Sequence, residues 1–180
     1  MTMTKNKLML LVPLAAAGLL AGCATSPAPN LTAEVPYCQK SSKGRVIACT
    51  KTPAPNLNAD AQAKLFAPDP SALTVYIVRR NWGDGSHFLK VRADGGAAVE
   101  TLPETMVRMK LRPGQHTITF EFEGREKNTT VAGLAGDVRF LRINGMAWSW
   151  KSTFDWAVEP ETATRERALK ARLVAEVAAR

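Results

Sequence analysis

Between Met106 and Glu123 the chain alternates apolar and polar residues with a period of two on both sides of Pro113-Gly114. Val107, Met109 and Leu111 alternate with Arg108, Lys110 and Arg112, and Ile118, Phe120 and Phe122 alternate with Thr117, Thr119 and Glu121. Such alternation marks strands with one buried face, and a slip of one residue would turn every side chain to the wrong side. A two-residue connection at Pro113-Gly114 makes a hairpin in which Met109 faces Ile118 and Val107 faces Phe120. Pro-Gly fits a type II turn, which matches strand twist less well than the primed turns, so a bulge near the turn is expected.

The neighbouring segments read the same way. Leu73–Arg79 is dense in β-branched and aromatic residues, and its nearly continuous apolar character suits a central strand. Phe88–Ala93 is a second strand ended by Asp94-Gly95-Gly96, and residues 97–103 are a weak third. Lys127–Val131 and Asp137–Ile143 follow, with Gly133 and Gly136 between them. Met146, Trp148, Trp150, Phe154 and Trp156 share one parity, which gives a strand pair or one bent strand with an aromatic face. From Pro160 the period changes to helical: Leu169, Leu173 and Val177 recur every four residues. The pattern predicts an antiparallel β-sandwich over 59–159 with a C-terminal α-helix over 160–180.

The amino terminus bears on place rather than fold. Lys5 and Lys7 precede an apolar run, Leu8–Leu20, of 13 residues broken by Pro13. A membrane span needs roughly 20 apolar residues, so this is the layout of a secretory signal over residues 1–22. The run Leu20-Ala21-Gly22-Cys23 resembles the lipobox of bacterial lipoproteins. That resemblance implies cleavage before Cys23 and triacylation of Cys23, hence attachment to membrane lipid. Ala24, rather than Asp, then favours the periplasmic face of the outer membrane in a Gram-negative host.

Removing residues 1–22 from 180 leaves 158, enough for one domain with a real core. The formal charge falls from +8 to +6 as Lys5 and Lys7 leave. A basic chain suits nucleic acid or an acidic surface; export argues against nucleic acid. Residues 23–58 are rich in Pro, Ala, Ser and Thr and read as a flexible tether. The tether holds a repeat: Cys23 to Glu34 matches Cys49 to Asp60 in most positions, including Pro-Ala-Pro-Asn-Leu. Cys38 and Cys49 suit a disulfide in an oxidising compartment, with two separate thiols as the alternative. Ala59–Phe66 reads as a short helix stopped by Pro68 and Pro70.

Three stretches, Thr74-Val-Tyr-Ile-Val-Arg79, Leu111-Arg-Pro-Gly-Gln-His116 and Gly136-Asp-Val-Arg-Phe-Leu141, resemble in their order bacterial lipoproteins that carry a domain of unknown function. The resemblance spans about residues 59–178 and implies an immunoglobulin-like or transthyretin-like β-sandwich. It says almost nothing about chemistry.

Candidate sites are few. His87 and His116 lack Glu or Cys at ligand spacing, so neither a metal nor another cofactor is expected. Asp84, Ser86 and His87 offer the residue types of a triad, but adjacent strand residues point to opposite faces, which argues against catalysis. Arg108, Lys110 and Arg112, with Lys90, Arg92, Arg139 and Arg142, make either a basic face for acidic partners or a solvated sheet face. Trp148, Trp150 and Trp156 make either a binding row or a core cover. The expectation is a non-catalytic, lipid-anchored envelope protein that binds a protein partner or a polymer such as peptidoglycan. A structural accessory of an envelope or secretion assembly is the alternative.

Overall fold

The computed structural model describes residues 30–80, 86–147 and 150–178. The expected signal segment and Cys23 lie outside them.

From residue 30 to residue 58 the chain is laid against the body, which corrects the expected flexible tether. Strands β1 (Cys38–Lys40) and β2 (Val46–Cys49) form an antiparallel arm in which Cys38 sits opposite Cys49. The two sulfurs are bonded. At its base Tyr37 packs on the main core, Ala54 is buried, and the Thr50 hydroxyl accepts from the Tyr37 amide. These few anchors do what a long apolar period would do elsewhere, so composition alone did not show them.

The repeat has a structural meaning. In its first copy Asn30 Oδ1 accepts from the amides of Thr32 and Ala33. In the second, Asn56 Oδ1 accepts from the Ala59 amide and caps helix α1 (Leu57–Ala63). Both copies thus begin the same turn. Only the second continues as a helix, because Pro36 follows the first and cannot sit in a helix interior. The copies also touch: Val35 bridges Ala54, and the Asn58 amide donates to the Leu31 carbonyl.

The body is the expected mainly β sandwich. Its strands are β3 (Leu73–Arg79), β4 (Leu89–Ala93), β5 (Val99–Thr101), β6 (Thr105–Leu111), β7 (Gly114–Phe122), β8 (Arg125–Gly133), β9 (Val138–Ala147), β10 (Ser152–Trp156) and β11 (Arg172–Ala178). One sheet runs β10-β9-β3-β6-β11 and the other β5-β4-β7-β8. Most pairings are antiparallel; β3 with β9 and β6 with β11 are parallel.

Pro113-Gly114 does not close a hairpin. β6 pairs with β3 and β11, while β7 pairs with β4 and β8, so the link carries the chain from one sheet to the other. Proline has no N–H for a ladder, and Gly114 at φ +138° is outside the primed-turn geometry that keeps two strands side by side. The two apolar faces therefore meet across the core: Val107, Met109, Ile118 and Phe120 all belong to it. The two-residue hairpin lies instead at Glu123-Gly124, both at positive φ (+50° and +74°), with Phe122 opposite Arg125. That is the primed type I geometry.

β3 is buried along its whole length because both its faces are covered. Val75 and Ile77 face the inter-sheet core. Tyr76 and Val78 face a second cluster with Phe66, Phe140, Ala168 and Leu173. There Tyr76 stacks on Phe140 at 5.3 Å with Phe66 edge-on at 5.0 Å, and its hydroxyl donates to the Ala63 carbonyl at 2.8 Å. Helix α2 (Glu161–Lys170) lies over this layer through the small buried residues Thr164 and Ala168.

The C-terminal helix therefore stops at Lys170, which corrects the expected span 160–180. Leu169 is exposed, whereas Leu173 and Val174 are both buried, on opposite faces of β11. The period-four stripe was a coincidence of spacing. Pairing beside β6 and two-sided burial outweigh the helix propensity of Leu and Ala, which is a weak preference.

Candidate ligand groove and the polar end of the sandwich

At one end of the sandwich the β4–β5 turn, the β6–β7 link and the end of β11 enclose a cavity of about 710 Å³. Its size is that of sites for small ligands or chain segments. Ala93, Ala97, Val99, Leu111 and Val177 make it largely apolar, and Asp94, Arg112, His116 and Glu176 are its polar lining.

His116 Nε2 donates to the Arg112 carbonyl at 2.7 Å, and Nδ1 lies 2.6 Å from Asp94 Oδ2. Asp94 Oδ1 also accepts from the Thr117 amide. Both ring nitrogens thus face acceptors, which favours the doubly protonated imidazolium. Desolvation pulls the His116 pKa down, but the hydrogen bonds to Asp94 and to the Arg112 carbonyl outweigh it, and the pKa lies above its ordinary value. Asp94 is held below the usual carboxylate range, first by the His116 hydrogen bond. The contribution of His116 is full below its unfolded value near 6.5 and is lost as pH rises through the higher folded value. That of Asp94 is full above about 3.9 and is lost as pH falls through the lower folded value. The pair is complete from about pH 4 to about pH 6.5. Because Asp94 is half exposed, the effect is small: thermal melts should show Tm falling by roughly 1–3 °C between pH 6 and pH 9. His116→Asn should remove that fall; an unchanged fall in the variant would assign it to other groups.

The opposite end is polar and aromatic. Arg79 is fully buried on the inner face of β3, with Nη1 donating to the carbonyls of His87 (2.7 Å) and Thr101 (2.9 Å). Its guanidinium also lies 5.3 Å from the centre of the Phe154 ring. His87 Nε2 is 2.8 Å from Ser152 Oγ, and its ring packs edge-on against Phe122 and Phe154. The histidine expected beside Ser86 therefore takes its hydroxyl partner 65 residues away. Asp84 lies outside the described residues. A recess beside Ser152, of about 130 Å³, is well below ligand size.

Most of the basic row is paired. Arg108 pairs with Glu176 of β11 and Lys110 with Asp69 at 2.8 Å, while the exposed Arg112 side chain has no carboxylate partner among the described residues. Lys90, Arg92, Arg139 and Arg142 pair with Glu121, Glu126, Glu161 and Glu159. Lys90 and Arg92 belong to one sheet, Arg108, Lys110, Arg139 and Arg142 to the other, and Arg112 to the link between them, so the seven do not share a face. Period-two alternation shows which residues point outward but not which carboxylates arrive from distant strands.

The aromatic row divides. Trp156 packs edge-on against Phe120 at 5.2 Å and donates Nε1–H to the Lys127 carbonyl, so it closes the core rather than offering a surface. Trp150 is 84% exposed. Trp148 lies outside the described residues. No three His, Cys, Asp or Glu side chains among the described residues are placed to hold a metal ion, and no helix there is long and apolar enough to cross a membrane. In comparisons with family models, curated proteins and solved structures, none matches the chain.

Proposed function

We propose that this is a lipid-anchored bacterial envelope protein, non-catalytic, that holds a protein segment or an envelope polymer such as peptidoglycan in the groove beside His116. The observation that carries the binding role is that groove: about 710 Å³, with mostly apolar walls and the charged side chains Asp94, Arg112 and Glu176 on its lining to orient an occupant. The Cys38–Cys49 disulfide supports an oxidising compartment, and the signal-like start with Cys23 supports acylation and the outer-membrane face. The resemblance to lipoproteins with a domain of unknown function is part of the same reading.

Filling the groove tests it. Ala97→Trp, at an exposed lining position, should lower binding to isolated peptidoglycan or to the protein captured with the acylated chain by at least about tenfold, the scale of one displaced contact set. Its Tm should stay within about 2 °C of the parent, as for an exposed substitution. Undiminished binding to both would exclude the groove. A single stoichiometric complex that survives groove filling would favour the alternative, a structural accessory of a larger assembly.

A further inference from the structure

We infer that the disulfide-closed arm, residues 38–49, lies against an anionic lipid surface. This rests on the anchoring at Cys23 and adds a second point of membrane contact to it.

Charge gives the first argument. From Val35 to Ala54 the chain carries Lys40, Lys43, Arg45 and Lys51 and no Asp or Glu. Lys51 pairs with Glu100 at 3.1 Å, but Lys40, Lys43 and Arg45 have no carboxylate partner among the described residues. On the body Lys90, Arg92, Arg108, Lys110, Arg139 and Arg142 each have a carboxylate partner. The arm thus gathers three cations without a carboxylate partner within the six residues 40–45.

Shape gives the second. Val46 and Ile47, beside those cations, are 53% and 49% exposed. A lone two-stranded hairpin is marginal in water, and this one is fastened at its base and by Cys38–Cys49 rather than by a core of its own. A stiffened projection with cations flanking β-branched residues has the chemistry of an interfacial element: apolar side chains enter the headgroup boundary while the cations meet phosphates.

Reach gives the third. The described chain begins at Asn30, seven residues beyond Cys23. Seven residues span at most about 25 Å, so the body sits close to whatever holds the acyl chains. The Leu31 carbonyl is bonded to the Asn58 amide, which fixes the start of the arm segment to that body. A short connection favours lipid over a distant protein as the arm's partner.

The test uses the full acylated chain on phosphatidylcholine vesicles with and without phosphatidylglycerol, read by amide hydrogen exchange across residues 39–47. Exchange there should be about tenfold slower on the anionic vesicles, and the difference should vanish in high salt. Lys40→Glu, Lys43→Glu and Arg45→Glu together should abolish it while the disulfide and Tm are retained. A chain that floats with neither vesicle overturns the anchor and the arm together. A chain that floats with both but exchanges equally on both overturns the arm alone. Slowing that appears only when envelope proteins are added would assign the arm to a protein and overturn the lipid contact.

Discussion

Arg79→Leu is expected to destabilise the domain by about 3–5 kcal/mol, read as a lower urea midpoint at unchanged slope. The side chain is fully buried and donates to the His87 and Thr101 carbonyls. Leucine keeps much of the volume but leaves those acceptors without the guanidinium, at roughly 1–3 kcal/mol each. The contact with the Phe154 ring is lost as well. Against a typical stability of about 5–15 kcal/mol, a loss of that size lowers Tm by roughly 6–20 °C. Arg79→Lys should recover only part of it, because a compact, strongly hydrated ammonium lacks the planar guanidinium that lies against the Phe154 ring. A cost below about 1 kcal/mol for leucine would show that the carbonyls find other donors and that Arg79 is not the pin of this end.

Leu173→Ala and Val174→Ala should both be costly, by about 2–5 and 1.5–3 kcal/mol. Leu173 lies under α1 and α2, and Val174 faces the inter-sheet core. Adjacent residues buried on opposite sides are a property of a strand between two layers. On a terminal helix with a stripe at 169, 173 and 177, Val174 would not matter and Leu169→Ala would cost as much as Leu173→Ala. Here Leu169 is 47% exposed, so Leu169→Ala should fall within about 0.5 kcal/mol of the parent. Chemical denaturation of the three variants separates the cases: an innocuous Val174→Ala with a costly Leu169→Ala would restore the helix. β11 also ties the tail to the start of the body, since the Asp60 carboxylate accepts from the Leu173 amide and meets Arg172 at 3.3 Å.

The strands were legible where side chains alternate or run apolar, because each strand's burial is written into its own residues. Leu73–Arg79 has the same bounds in sequence and structure, and its unbroken apolar run reflects burial on both faces. Turn chemistry was legible in part. Asp94-Gly95 stands where expected, with both residues at positive φ. Pro113-Gly114 misled, because period two reports that two strands share a core but not whether they are neighbours in one sheet or opposed across two. Glu123-Gly124 carried the signal for the true hairpin, since glycine at a positive-φ position is what a primed turn requires.

The candidate site was less legible still. His116 and Asp94 are 22 residues apart, and Ser152 and His87 are 65 apart. Nothing in either local pattern links them. The Pro-Gly link and the Asp-Gly-Gly turn were visible separately, yet only their meeting at one end of the sandwich makes a groove. The same holds for the basic row, whose carboxylate partners arrive from other strands, from loops and from α2.

By itself the sequence determined which segments extend, which faces are apolar, and that two cysteines stand ready to bond after a signal-like start. These are local properties, set by side-chain alternation, proline and glycine geometry and residue chemistry. Tertiary structure alone decided sheet membership, the conversion of the last segment from helix to strand, and which cations find a carboxylate. Those outcomes depend on contacts between residues far apart in the chain, where burial and hydrogen bonding against a neighbour outweigh the weak preferences of any one stretch.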